Sequence, residues 1–142
     1  MARKSAAEAL ADLGPKAVPA TKDLIQIIKT DNEVVRTAAV KALAGIGPEA
    51  VAPLVASLRK TNDYGREAAG DALGGIGAAS VAPLTKSIAG SNRKVQAAAA
   101  RALGLVGPAA APAVGGLAKL IASRDADVRE SAVTALGRIG PA

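Results

Sequence analysis

Apolar residues recur along this chain with the spacing of an α-helix. In the segment 49–60, Val51, Leu54, Val55 and Leu58 follow one another at intervals of three, one and three residues. Because an α-helix has about 3.6 residues per turn, this spacing places all four side chains on one side of a helix. The segment is therefore predicted to form an amphipathic helix with one buried face.

A polar segment and a glycine delimit the helix that follows. Residues 61–63 are Thr-Asn-Asp, which favour turns and cap helix N-termini. A second helix is predicted from Tyr64 to Ile76, and Gly77 should end it because glycine adopts the left-handed conformation common at helix C-termini. Gly-Pro pairs begin at residues 14, 47, 107 and 140. At each pair the glycine is expected to end one helix and the proline to start the next.

This pair of helices belongs to a repeat. A phrase that begins with Ala-Leu and ends in glycine occurs five times, and its leucines are 33, 30, 30 and 33 residues apart, at Leu10, Leu43, Leu73, Leu103 and Leu136. The extra three residues fall in the first helix of the outer two repeats, which we expect to be about one turn longer. The chain is predicted to be one domain, 1–142, with a half repeat at 1–14 and full repeats at 15–47, 48–77, 78–107 and 108–140.

The composition favours an all-α protein, and the repeats predict about nine helices. Half of the residues are apolar, yet the chain contains no Phe, no Trp and one Tyr, so its core must consist of Ala, Val, Leu and Ile. Alanine has the highest intrinsic helix propensity. One helix pair cannot bury its apolar faces alone, so the core is expected to form between stacked repeats.

The recurring residues resemble short HEAT-like repeats of the kind named after phycobilisome lyases, with the pattern x-Val-Arg-x-x-Ala-x-x-Ala-Leu-Gly-x-Ile-Gly-Pro across nearly the whole chain. The resemblance implies a right-handed α-solenoid of antiparallel helix pairs, whose second helices line the concave face. It also implies that an arginine seven residues before each leucine braces the neighbouring repeat through an acidic partner. That position holds Arg3, Arg36, Arg66, Gln96 and Arg129, so the bracing is expected to fail at Gln96.

The functions that this resemblance implies are scaffolds, accessory subunits of bilin lyases and a class of DNA glycosylases, and the fold alone does not choose among them. The chain has no Cys and no His, which removes thiol nucleophiles, imidazole bases and the usual zinc and haem ligands. A glycosylase would need aromatic side chains to hold a displaced base, and Tyr64 is the single aromatic residue. The sequence therefore predicts a non-enzymatic protein with no catalytic residues, no cofactor and no metal.

Candidate binding residues lie on the second helices, where the repeats differ most. Residues four positions apart form an exposed ridge on each of these helices, and two basic residues lie at the turn into the second helix of repeat 78–107. The candidate partner-binding residues are Lys41, Glu67, Asp71, Arg93, Lys94, Arg101, Leu105, Glu130 and Arg138. The alternative interpretation is an ordinary solvated face with ion pairs within each helix.

The partner is predicted to be another protein or a second copy of this chain. Neither terminus shows the polar cap that is usual in solenoids, so one expectation is head-to-tail stacking into a filament, and another is a fragment of a longer array. A second predicted function is nucleic-acid binding through the basic segment 86–124, which contains no acidic residue. The basic centre of the candidate protein-binding groove is expected at Arg101. A third predicted function is an accessory subunit of a bilin-lyase-like complex.

The N-terminal residues favour a cytoplasmic location. They lack the apolar run of a signal peptide, and no stretch of the chain approaches the roughly 20 uninterrupted apolar residues of a membrane span. No membrane contact is therefore expected, and an extracellular location is expected only if the chain is a processed fragment.

Overall fold

The computed structural model of this chain describes residues 8–9 and 12–141. Eight α-helices have defined bounds in this part of the chain: α1 Thr21–Ile27, α2 Glu33–Ile46, α3 Val51–Lys60, α4 Asp63–Ile76, α5 Val81–Ile88, α6 Arg93–Val106, α7 Val114–Leu120 and α8 Ala126–Ile139. Four 3-10 segments accompany them, at Gly14–Ala20, Gly47–Ala50, Ala78–Ser80 and Gly107–Ala113. The described residues are all-helical, as predicted.

The described residues form fewer separate helices than the predicted number of about nine, because some of the helices are joined. Residues 8–9 and 12–141 contain six continuous helical runs, because 3-10 segments connect α2 to α3 and α6 to α7 without a break. Proline follows the glycine at both of these boundaries, and its fixed φ is compatible with a helical path. Ala78 follows Gly77 instead, and there the run is interrupted. The N-terminal helix predicted in the half repeat lies largely outside the described residues.

The extra residues of the outer repeats do not lengthen their first α-helices, so that prediction is wrong. α1 and α7 have seven residues each, whereas α3 has ten and α5 has eight. The additional residues extend the 3-10 segments, which contain Pro19 and Pro112. A proline inside a helix lacks the amide hydrogen and clashes with the carbonyl four residues earlier. Each α-helix therefore begins only after this second proline.

Polar caps fix the starts of the second helices. The side-chain oxygens of Asn32, Asn62, Asn92 and Asp125 each accept a hydrogen bond from the backbone N–H three residues later, at 2.8 to 3.1 Å. Such caps satisfy backbone donors that have no partner within the helix. Because Asn62 is the cap, α4 begins at Asp63, one residue earlier than predicted.

The helices form two layers with the core between them. α1, α3, α5 and α7 stack as a first layer, and α2, α4, α6 and α8 stack beside them as a second layer. Fully buried leucines from both layers meet in this core, and they are Leu24, Leu54, Leu84 and Leu117 of the first layer and Leu43, Leu73 and Leu103 of the second. This arrangement is the α-solenoid that the repeat pattern predicts.

Two continuous runs, Glu33–Lys60 and Arg93–Leu120, are long and apolar enough to cross a membrane by length and composition alone. Core helices of soluble proteins pass the same test. Each run also contains a 3-10 segment that starts at a glycine with positive φ, Gly47 or Gly107. Neither run is therefore one regular α-helix of the kind that spans a bilayer.

Candidate partner-binding grooves

The second layer carries a groove between the N-terminal halves of α4, α6 and α8, which we call the first groove. It has a volume of about 530 Å³ and is lined by Asp63, Arg66, Glu67, Arg93, Lys94, Ala97, Ala98, Arg101, Asp125, Asp127, Glu130 and Ser131. Five of the nine predicted binding residues are among them. The helix N-termini and the small residues of α6 leave this space open.

A second groove adjoins the first between the C-terminal halves of α6 and α8, and its volume is about 350 Å³. Its lining consists of Asp71, Arg101, Gly104, Leu105, Glu130, Ser131, Thr134, Ala135 and Arg138. Arg101, Glu130 and Ser131 line both grooves. The structure thus brings eight of the nine candidate residues to one continuous surface of three helices.

Lys41 is the candidate that the structure does not bring to this surface. It lines a separate third groove of about 660 Å³ with Glu8, Asp12, Glu33, Val34, Thr37 and Ala38. Three of these seven side chains are carboxylates, so Lys41 lies in an acidic environment. The sequence pattern placed it on the same ridge position as Asp71 and Arg101 but did not show that the ridge divides into separate grooves.

Arg101 holds two helices together. Its guanidinium donates to the Glu67 carboxylate at 3.1 Å, to the Glu67 backbone carbonyl at 2.9 Å and to the Asp71 carboxylate at 2.8 Å. We call this set of contacts the Arg101 clamp. Both carboxylates belong to α4 and the guanidinium to α6, so these ion pairs connect neighbouring repeats, whereas the alternative interpretation expected pairs within one helix. The predicted basic centre is therefore neutralised by two carboxylates.

The two aspartates of α4 have different electrostatic environments. The Lys94 ammonium, 3.5 Å away, and the Arg66 guanidinium, 2.7 Å away, lower the pKa of Asp63. Burial raises the pKa of Asp71, and the Arg101 guanidinium opposes this effect. Arg66 and Lys94 thus engage Asp63 at the N-terminal end of the first groove, while Arg101 offsets part of the effect of burial on Asp71.

Comparison with known protein families identifies the repeat. The family model for HEAT repeats matches residues 1–74 and 81–142. The chain belongs to the HEAT repeat family. No curated protein matches it significantly.

Two solved structures that resemble this chain are engineered proteins. A designed armadillo repeat protein in complex with the peptide (KR)4 is 21% identical to this HEAT repeat chain, with 96% of this chain and 75% of that chain covered and a TM-score of 0.50. An engineered protein solved by crystallography is 27% identical, with 96% of this chain and 72% of that chain covered and a TM-score of 0.48. The likeness to the armadillo protein shows a shared fold.

The arginines that stand seven residues before each repeat leucine make other contacts than the resemblance implied. Arg36, Arg66 and Arg129 donate to backbone carbonyls of the turn that precedes their own helix, at 2.9 to 3.0 Å. Gln96 makes the same type of contact, to the carbonyls of Ile88 at 3.2 Å and Gly90 at 2.7 Å. In the described part of the chain, pairing with an acidic residue of a neighbouring repeat is therefore absent at Arg36, Arg66 and Arg129 as well as at Gln96. Gln96 can take the place of arginine here because an amide also donates to carbonyls. Arg3 lies outside the described residues.

Three further contacts join neighbouring HEAT repeats, and Arg36 is the one participant that was expected to contact a neighbouring repeat. The Asn62 amide donates to the Lys29 carbonyl at 2.9 Å, and the Arg93 guanidinium donates to the Ser123 hydroxyl at 3.2 Å. The Arg36 guanidinium also lies 4.9 Å from the ring centroid of Tyr64. Each contact joins residues 28 to 33 positions apart, so a comparison at the repeat period could have found these pairs.

Carboxylates do not cluster into a metal site in residues 8–9 and 12–141, where no group of three or more acidic side chains is placed to hold an ion. Glu67 and Asp71 both accept from Arg101. The chemistry that the grooves offer is recognition of complementary charges and of small apolar surfaces.

Proposed function

We propose that this HEAT repeat chain is a non-enzymatic scaffold that binds a protein partner along the first and second grooves. One observation carries the proposal: eight of the nine candidate residues, six from the ridge positions and two from the start of α6, lie on one continuous surface of α4, α6 and α8. Extended surfaces of this kind are how stacked repeats bind their partners. The designed armadillo repeat protein of similar fold is in complex with a peptide, which supports the same type of ligand.

The lining of the grooves indicates a partner segment with charges of both signs. The first groove presents five carboxylates and four cations, and Lys94 and Arg101 are already paired with carboxylates of α4. Asp127, Glu130 and Arg138 form no salt bridge within residues 8–9 and 12–141. Glu130 lines both grooves, so we assign it the central contact with a basic side chain of the partner.

The experiment starts from peptides selected by phage display against the immobilised full chain, with their affinities then measured by fluorescence anisotropy. Glu130→Lys should weaken binding at least about tenfold, which corresponds to about 1.4 kcal/mol. Glu49→Lys, at an exposed residue just before α3 of the first layer, is the matched reversal with the same change in net charge, and it should leave the affinity unchanged. Circular dichroism should show equal helicity for both variants. If Glu130→Lys and the unmodified chain bind the selected peptides equally, the grooves are not the binding surface.

Self-association is a second candidate function, and the burial of α7 and α8 favours it. Ile121 and Val133 are 45% and 55% exposed, whereas Ile88 and Ala100, the residues one repeat earlier, are 3% and 0% exposed. The following helix pair covers those earlier residues. The exposed apolar surface of α7 and α8 is therefore suited to receive another helix pair, as in end-to-end stacking of copies into a filament.

Light scattering after size-exclusion chromatography tests this second candidate. The unmodified chain should show a mass that rises with concentration above the monomer mass of 13.9 kDa, and negative-stain microscopy should show filaments. Val133→Lys should return the chain to a monomer, because it places a charge on the apolar contact surface. A monomer at every concentration of the unmodified chain excludes self-association. No observation on the described residues favours the accessory bilin-lyase role.

A further inference from the structure

The net positive charge of this protein is confined to the first layer and its connecting segments. Residues 14–29, 47–60, 77–90 and 107–124 contain eight basic and two acidic residues, whereas the rest of the chain contains ten of each. These segments, which include the turn residues Lys29 and Arg124, therefore carry a net charge of +6. The excess of basic residues is thus spread over all four first-layer segments and is not confined to the segment 86–124.

The basic side chains of the first layer point away from the core. Five basic residues are two, five or six positions away from a fully buried leucine of the same helix, and they are Lys22, Arg59, Lys60, Lys86 and Lys119. At about 100° per residue, this spacing places them about 140° to 240° around the helix axis from that leucine. All five are exposed. Together they form a basic outer face on four adjacent helices.

These cations are available to a ligand. None of them forms a salt bridge within residues 8–9 and 12–141. Several lie in the last turn of their helix, where a cation interacts favourably with the helix dipole. That effect accounts for their position along the helix, but not for the near absence of acidic residues from the same face.

The structure also divides the six cations of the segment 86–124. Lys86, Lys119 and the turn residue Arg124 have no carboxylate partner in the described part of the chain, whereas Lys94 and Arg101 of α6 pair with carboxylates of α4. The sixth cation, Arg93 of α6, donates to the Ser123 hydroxyl. The predicted basic centre at Arg101 thus contributes little free charge. The attraction for an anion comes from the opposite side of the molecule.

We infer that the outer face of the first layer binds the phosphate backbone of a nucleic acid. An array of lysines and arginines on adjacent helices, about 8–10 Å apart, meets a row of phosphates and requires no base contact. Small residues surround these cations, such as Ala52, Ala56 and Ala82. A membrane-binding face would need large apolar or aromatic side chains to enter the bilayer. The face therefore fits a polyanion in solution better than a bilayer.

The test measures binding of the full chain to a fluorescein-labelled DNA duplex of random sequence by anisotropy at several salt concentrations. If about four phosphates are contacted, the slope of log K against log salt should be about −3.6, and affinity should fall about 100-fold between about 50 and about 200 mM salt. The double variant Lys86→Ala/Lys119→Ala should reduce the steepness of this slope by about 2.

The matched control is Lys41→Ala/Arg138→Ala, which removes two cations from the second layer and should leave the slope unchanged. Equal loss of duplex binding in both double variants would overturn the inference, because net charge and not the outer face would then control binding. Absence of duplex binding at low salt overturns it as well. Binding of the chain to vesicles that contain phosphatidylserine is measured in parallel, and binding to these vesicles without binding to the duplex also overturns the inference. Because groove peptides are measured separately, failure here is distinguishable from failure of the proposed scaffold function.

Discussion

Small residues in the second layer determine how closely the repeats approach one another. A Cβ atom on Gly104 would lie 2.9 Å from the Cα of Ala135, and a Cβ atom on Gly74 would lie 2.6 Å from the Cβ of Leu105. Such distances are shorter than ordinary van der Waals contacts. Gly74 lies inside α4, and close helix packing is the reason for a glycine there.

Gly104→Ala is predicted to destabilise the protein. The added methyl group overpacks the contact between α6 and α8, which typically costs about 1–3 kcal/mol, while the gain in helix propensity recovers about 1 kcal/mol. A net loss of about 1 kcal/mol is expected in urea unfolding followed by circular dichroism.

Gly137→Ala is the matched control for this prediction. Gly137 occupies the same repeat position in α8, but no atom lies within 4 Å of the methyl group that would be added. The helix propensity of alanine should therefore stabilise this variant by about 0.5–1 kcal/mol. Equal stabilisation of both variants would contradict the conclusion that α6 and α8 approach too closely at Gly104 to accept a methyl group.

At the scale of the helices, the Arg101 clamp connects α4 to α6 through side chains that are only partly exposed. Its pairing was not predictable from the repeat alone, because the clamp depends on the Arg101 side chain reaching across the groove to two carboxylates of α4. Sequence pattern was more reliable for features set by neighbouring residues. It predicted the extent of α3 and α4 to within two residues, but it missed that an internal proline turns the first part of α1 and α7 into 3-10 segments.

Arg101→Ala is predicted to destabilise the protein in a pH-dependent way. Burial raises the pKa of Asp71 above its ordinary value of 3.8, and Arg101 opposes that rise. Folding therefore favours protonated Asp71: this contribution is fully present below pH 3.8 and is lost as pH rises through the pKa of the folded state. Without Arg101 the folded-state pKa rises further, so the cost of the substitution should be about 1 kcal/mol at neutral pH and smaller near pH 4.

Urea unfolding at pH 7 and pH 4 measures this difference. Asp71→Asn should remove the part of the pH dependence that comes from this carboxylate. Lys41→Ala serves as the control, since Lys41 forms no salt bridge within the described residues. An equal cost of Arg101→Ala at both pH values would contradict the role assigned to Asp71.

At the scale of the whole molecule, the two layers separate two kinds of surface. The second layer has grooves with carboxylates and cations interspersed, and the first layer has a basic outer face. The sequence predicted the solenoid and eight of the eighteen residues that line the first and second grooves, because variable positions on equivalent helices must lie side by side in a stack. It did not predict that Lys41 lies in a separate groove, or that net charge divides by layer, since both depend on which helix faces which.

The stack should unfold in parts, starting from α7 and α8. Among the described residues this helix pair contacts only the pair before it, whereas each central pair is stabilised by neighbours on both sides, and stability in a solenoid is close to a sum of such neighbour terms. In native-state hydrogen exchange, the amides of α8 should exchange at least about tenfold faster than those of α4. Gly104→Ala should widen this difference, because it weakens the contact between α6 and α8 and leaves the contact between α4 and α6 intact. Equal protection of α4 and α8 in both proteins would show instead that the whole chain opens as one cooperative unit.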